Sequence, residues 1–231
     1  MRTELEPAFV LHRRPYRDTS LIVEALSQAH GRVGMVVRGG RRPPRRRAQI
    51  AVEPFQPLLL SWSARGELGT LTGVDQQRRY PPLETVYLYS GIYMNELTLR
   101  LLARGDPVPE LFDAYSRVLS ALAERQPVEP LLRIYEKYLL KAAGYGLLLT
   151  HAADTGDRIE AEHEYFYVAD TGALSAPAGA SAMAVRGATL IALAEEVLDN
   201  ADTLRQSKQL MRFVLQPHLG SRPLRSRELF R

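Results

Sequence analysis

Between Arg38 and Arg47 the chain reads RGGRRPPRRR, six arginines in ten residues. Arg32 lies just upstream, and no carboxylate occurs from Ala25 to Val52. Guanidinium groups stay charged across physiological pH and meet phosphate oxygens two at a time, so such a run without counter-charges forms a site for a polyanion. Nucleic acid is the commonest polyanion in a cell. Arg13, Arg14 and Arg17 add cations ahead of the run, with Tyr16 among them after Pro15. The arginines fit phosphate contacts or a solvated loop; Tyr16 fits a stacking surface or a core or turn tyrosine. Phe9, Tyr16, Phe55, Trp62 and Tyr80 are the only aromatics in the first eighty residues. Binding would therefore be led by the phosphate backbone and tolerate any base sequence.

Two other basic stripes have helical spacing. Arg133, Lys137 and Lys141 recur every fourth residue beside Leu132, Tyr135, Leu139 and Leu140. That pattern suits an apolar groove with a cationic lip for an acidic peptide ending in an aromatic side chain, and equally the solvated stripe of an amphipathic helix. Arg205, Lys208 and Arg212 share one face of a later segment, and Arg222, Arg225, Arg227 and Arg231 follow with Glu228 the one acid among them. These cations either extend a phosphate-binding surface or tie the tail to acidic neighbours.

Catalytic chemistry is poorly represented. The five histidines, His12, His30, His151, His163 and His218, show no paired ligand spacing, and GRVGMVVRGG lacks the spacing and Lys-Ser or Lys-Thr pair of a phosphate loop. Glu160, Glu162 and Glu164 alternate as on a solvated strand edge. The absence of cysteine removes disulfides, thiolate nucleophiles and sulfur-ligated zinc. The chain is accordingly not expected to be an enzyme, and no catalytic residue, metal site or cofactor is assigned.

The elements that must carry these residues change character near residue 80. Before it, AFVLHRR, TSLIVEALSQ, GRVGMVVRG, FQPLLLSWS and ELGTLTGV are short runs with apolar residues at every second position, separated by turn signals at Gly31, Gly39-Gly40 and Arg65-Gly66. Five such strands predict a small, partly open OB-fold barrel, with the arginine run in the link between its third and fourth strands. After Pro81-Pro82 the period becomes helical over 87–102, 110–123 and 129–143, where three helices suggest a bundle. HEYFYVAD followed by TGALSA reads as a hairpin, and helices near 188–198 and 204–215 close the chain. The fold class is thus α+β in two parts: an OB-fold domain over 1–80 and a mainly α-helical domain over 81–231 with a hairpin insertion at about 150–180.

Charge follows the same division. Residues 1–80 carry a net +7, residues 81–200 a net −8 and residues 201–231 a net +5. No apolar run approaches the roughly 18 residues a spanning helix needs, and Glu4, Glu6, Asp18 and Glu24 interrupt the opening segment, so a soluble, cytoplasmic protein without a membrane partner is expected.

Four strings carry a more specific likeness. AFVLHRRPYRDTSLIVEALSQAHGRVGMVVRGGRR, LYSGIYMNELTLRLL, LLRIYEKYLLKAAGYG and the ending from ADTLRQSKQLMRFVLQPHLG to SRPLRSRELF resemble, in matching order, the bacterial RecO family of recombination mediators. The resemblance implies an OB-fold followed by helices and a nucleoid-associated DNA-repair role without catalytic chemistry. It implies binding of single- and double-stranded DNA, strand annealing, and work with RecR in helping RecA displace single-stranded DNA-binding protein (SSB). It also implies a site for the acidic SSB tail in the helical domain, where Arg133 matches a basic position. Many members carry four cysteines as a zinc module after the third helix; THAADTGDRIEAEHEYFYV has none, so zinc is not implied here. The other reading is a non-catalytic OB-fold adaptor or RNA-binding protein whose basic loop serves another polyanion.

Overall fold

In the computed structural model, residues 2–40, 52–64, 66–76, 78–177, 179 and 182–230 are described. Five strands come first: β1 (Arg2–Tyr16), β2 (Ser20–Ser27), β3 (Gly31–Val37), β4 (Pro57–Ala64) and β5 (Gly69–Asp75). They close into a barrel in the order β1-β2-β3-β5-β4, the five-stranded architecture that the alternating runs predict. Ala8, Val10, Val23, Ala25, Met35, Leu58, Leu60 and Trp62 fill its interior. These are the inward halves of the period-two patterns.

The helices α1 (Thr85–Leu101) and α2 (Pro109–Ala123) share a compact unit with the barrel, which spans Met1–Gln126 and Ser226–Arg231. A bulge between Val10 and His12 takes Leu11 out of the β1–β2 register. The Leu11 carbonyl accepts instead from Asn95 Nδ2 on α1 at 2.8 Å, and Tyr115 of α2 donates to Asn95 Oδ1 at 2.6 Å. Phe9 packs its ring against Phe112 and Tyr115 at 5.4 and 5.1 Å. One bulge thus lets a strand hold two helices while its freed carbonyl keeps a donor.

The second unit, Pro127–Arg225, holds α3 (Val128–Ala142), α4 (Gly187–Glu195), α5 (Ala201–Leu215) and a sheet in the order β7-β6-β8. Strands β6 (Glu164–Val168) and β7 (Gly172–Leu174) form the expected hairpin; β8 (Met183–Arg186) is a third strand that the sequence reading lacks. The expected three-helix bundle is redistributed, since α1 and α2 group with the barrel while α3 packs on α5. Among the described residues no helix is long and apolar enough to cross a membrane.

Candidate nucleic-acid interface

Strand direction decides which arginines meet. β1 and β3 both run antiparallel to β2, so their C-terminal ends lie at one end of the barrel: Pro15 faces Leu21, and Leu21 faces Val37. Arg13 and Arg14 occupy opposite faces of β1 there, and both are exposed. Arg17 begins the tight turn into β2 with φ 51°, and its guanidinium lies 5.2 Å from the Tyr16 ring centroid. Tyr16 itself is half-buried. Arg38 follows β3, exposed, before Gly39 turns the chain at φ +70°. Arg41, Arg42, Arg45, Arg46 and Arg47 lie outside the described residues.

Two arginines that sequence reasoning missed belong to the same end. β5 pairs parallel with β3, so both strands run toward the same end of the barrel. Arg78 and Arg79 are exposed there. Tyr80 anchors them: its backbone N–H donates to Gln56 Oε1 at 3.0 Å, its carbonyl accepts from Gln56 Nε2 at 3.2 Å, and Gln56 immediately precedes β4. QQRRY carried the signal, but only the parallel pairing joins it to β1 and β3.

Arg32 departs from expectation. Its Nε donates to Glu24 Oε2 at 3.0 Å, and its Nη1 donates to the carbonyls of Leu99 and Leu102 at 2.8 Å each. Arg104 grips the same carboxylate through Nε at 3.2 Å and through Nη2. Burial would raise the Glu24 carboxyl, but the hydrogen bonds from Arg104 and Arg32 outweigh it and hold that carboxyl below its ordinary range. Arg32 therefore ties β3 to the end of α1, whose final carbonyls favour a cation. An acid-free stretch of sequence hid this because its counter-charge lies on the neighbouring strand.

In the second unit the α3 stripe also turns inward. Arg133 is 6% exposed and donates to Glu136 Oε1 at 2.6 Å. Lys137 donates to the carbonyls of Leu193 and Ala194 at 3.0 and 3.3 Å and pairs with Glu196 at 2.8 Å, capping α4. Of the three, Lys141 alone is exposed. Leu132, Tyr135, Leu139 and Leu140 are core residues rather than the wall of an open groove. On α5, Arg205 pairs with Asp202 at 2.8 Å, Lys208 pairs with Glu129 at 2.7 Å, and Arg212 is exposed. Among the described residues no group of three His, Asp or Glu side chains is arranged to hold a metal ion.

Comparison with known proteins accords with this architecture. The family model for the recombination protein O N terminal matches residues 1–79, and the one for the recombination protein O C terminal matches residues 84–228. The DNA repair protein RecO of Methylococcus capsulatus is 44% identical over 230 residues, covering 100% of this chain and 94% of that protein. Proteins of the same name from Nitrosococcus oceani and Cellvibrio japonicus are 44% and 42% identical, covering 99% and 100% of this chain and 93% and 98% of theirs. A five-stranded barrel with basic residues gathered at one end, matched along its whole length in this way, belongs to the recombination protein O family of DNA repair proteins.

Proposed function

We propose that this chain is a cytoplasmic, non-catalytic recombination mediator. It binds single- and double-stranded DNA, anneals complementary strands, and works with RecR to help RecA load onto SSB-coated single strands. The observation that carries the DNA-binding part is the gathering of Arg13, Arg14, Arg17 and Arg38 at the barrel end from which the Arg41–Arg47 link departs. Exposed guanidinium groups on several strands track a phosphate backbone without reading bases, which suits a protein that must act on any sequence. Arg78 and Arg79 enlarge that surface; Arg32 is not assigned to it.

Contact with the SSB tail is a separate part of the reading. Arg133 is buried and donates to Glu136, so on α3 this part of the reading rests on Lys141. Lys141 stands exposed two turns further along α3. Lys141→Glu tests the site without opening the buried pair: affinity for an SSB-tail peptide falls several-fold, and unchanged affinity removes α3 from the site.

The mediator role is tested by the annealing rate of complementary oligonucleotides, each coated with SSB. Acceleration that survives the coat is the expected result. Acceleration of naked strands alone leaves a charge-driven DNA binder, and none at all favours an adaptor or RNA-binding role.

A further inference from the structure

The second unit carries a cavity that neither the barrel nor the α3 stripe uses. About 300 Å³ in volume, it lies between the chain leaving α3 and the β6–β7 turn, lined by Gly144, Tyr145, Leu148, Tyr167, Asp170 and Gly172 among others. At the lower end of the roughly 300–1,000 Å³ of ligand pockets, it suits a single side chain. Lys141 is not part of its wall.

The local sequence builds each side. α3 ends in a doubly bonded cap: Gly144 N–H donates to the Lys141 carbonyl at 3.1 Å and Tyr145 N–H to the Leu140 carbonyl at 2.8 Å, with Gly144 at φ +87°. That cap fixes where Tyr145 leaves the helix. His218 stacks on one face of the Tyr145 ring, with centroids 3.6 Å apart and planes at 22°, yet Tyr145 is 44% exposed, so its other face stays open at the rim. On the far side β6 and β7 turn through Asp170, where Thr171 N–H donates to the Val168 carbonyl at 3.1 Å. Gly172 takes φ +107°, and a Cβ there would stand 3.0 Å from Leu148 Cβ, so this glycine leaves room for Leu148 against the hairpin. Buried Tyr167 closes the inner side, its hydroxyl accepting from Leu148 N–H at 3.2 Å.

Three of these residues suit one ligand group. Leu148, 55% exposed, offers apolar surface for a methylene stem. The open face of Tyr145 attracts a planar cation. Asp170 is exposed, and among the described residues no side chain donates to its carboxylate. From Thr150 to Ala173 six carboxylates stand against one arginine, Arg158, so the surrounding field also favours a cation. Stem, stacking plane and carboxylate together match arginine better than lysine, whose ammonium has no plane to stack.

We propose that this cavity receives an arginine side chain of a different protein, its guanidinium over Tyr145 and paired with Asp170, its stem along Leu148. Neither DNA nor the SSB tail takes part in this contact, so it stands or falls apart from them.

The full-length protein, labelled with ¹⁵N, is titrated with the capped tripeptide acetyl-Gly-Arg-Gly-amide and with its neutral citrulline counterpart. The arginine peptide should move the amide signals of Gly144, Gly146 and Gly172, and the citrulline peptide should bind several-fold more weakly. Asp170→Asn keeps a turn-forming residue and should erase the difference between the two peptides; Tyr145→Ala should weaken the arginine peptide several-fold. An otherwise unchanged spectrum shows that each variant is folded. Signals that stay in place up to about 10 mM arginine peptide, well above a Kd of about 1 mM, overturn the site. Equal movement by both peptides, or an unaltered response in Asp170→Asn, overturns it too. Sedimentation separates the sources: a monomer leaves the arginine to a different protein, whereas an oligomer that Asp170→Asn dissociates gives it to a second copy of this chain and overturns that choice of partner.

Discussion

Arg32 and Arg38 stand six positions apart on one strand and its exit, yet they have opposite environments. Arg32 reaches inward to Glu24 and two carbonyls of α1, while Arg38 faces solvent. Arg32→Ala leaves buried acceptors without a donor and should cost about 1–3 kcal/mol in denaturant unfolding. Arg38→Ala should leave stability within about 0.5 kcal/mol and weaken oligonucleotide binding instead. Glu24 adds a pH dependence of known sign. Its folded carboxyl titrates below its ordinary 4.5, so its contribution is present in full above that value and is lost as the pH falls through the lower folded value. Glu24→Gln should therefore flatten the decline of stability below about pH 4.5, measured by urea midpoints across that range. At this scale the sequence discloses charge but not direction. Arg32 and Glu24 are eight positions apart in the chain, and only the β2–β3 hairpin brings them together.

Elements were more legible than side-chain directions. All five barrel strands and all five helices leave their period in the sequence because each buries one face. β8 escaped because four residues running straight into α4 are too short for a period, and because its partner β6 is distant in sequence. The α3 stripe shows the opposite failure: its spacing is real, but two of its three cations act within the second unit. Removing Arg133 leaves Glu136 buried without its guanidinium, so Arg133→Ala should cost about 3–5 kcal/mol. Replacing both members by apolar residues of similar volume should recover most of that loss, because desolvation of the two ions is then avoided. Thermal or urea unfolding of the two variants side by side checks this. Lys137 acts at the end of α4, where Lys137→Met should loosen the last helical turn, read by faster hydrogen exchange around Leu193 and Ala194.

At the scale of the whole chain, charge is sorted by segment, with a basic N-terminal eighty residues against an acidic middle. The sorting was legible in the sequence; the gathering of cations at one barrel end was not, because it depends on how the strands pair, with β1 and β3 both antiparallel to β2 and β5 parallel to β3. It predicts a graded electrostatic response. Five phosphate contacts on a single strand would give a slope of log affinity against log salt of roughly −3.5, at about 0.7 per contact. Replacing Arg13, Arg14, Arg17 and Arg38 by Ala should reduce the slope by up to about 2.8, and adding Arg78→Ala and Arg79→Ala should reduce it further if the parallel pairing gathers them onto the same strand. Arg205→Ala and Arg212→Ala form the comparison set on α5. If they lower the slope as much as the barrel-end set, the phosphate path extends over α5; if they leave it unchanged, the barrel end alone holds the backbone. A slope that stays at its starting value through the barrel-end substitutions would place DNA binding elsewhere on the molecule.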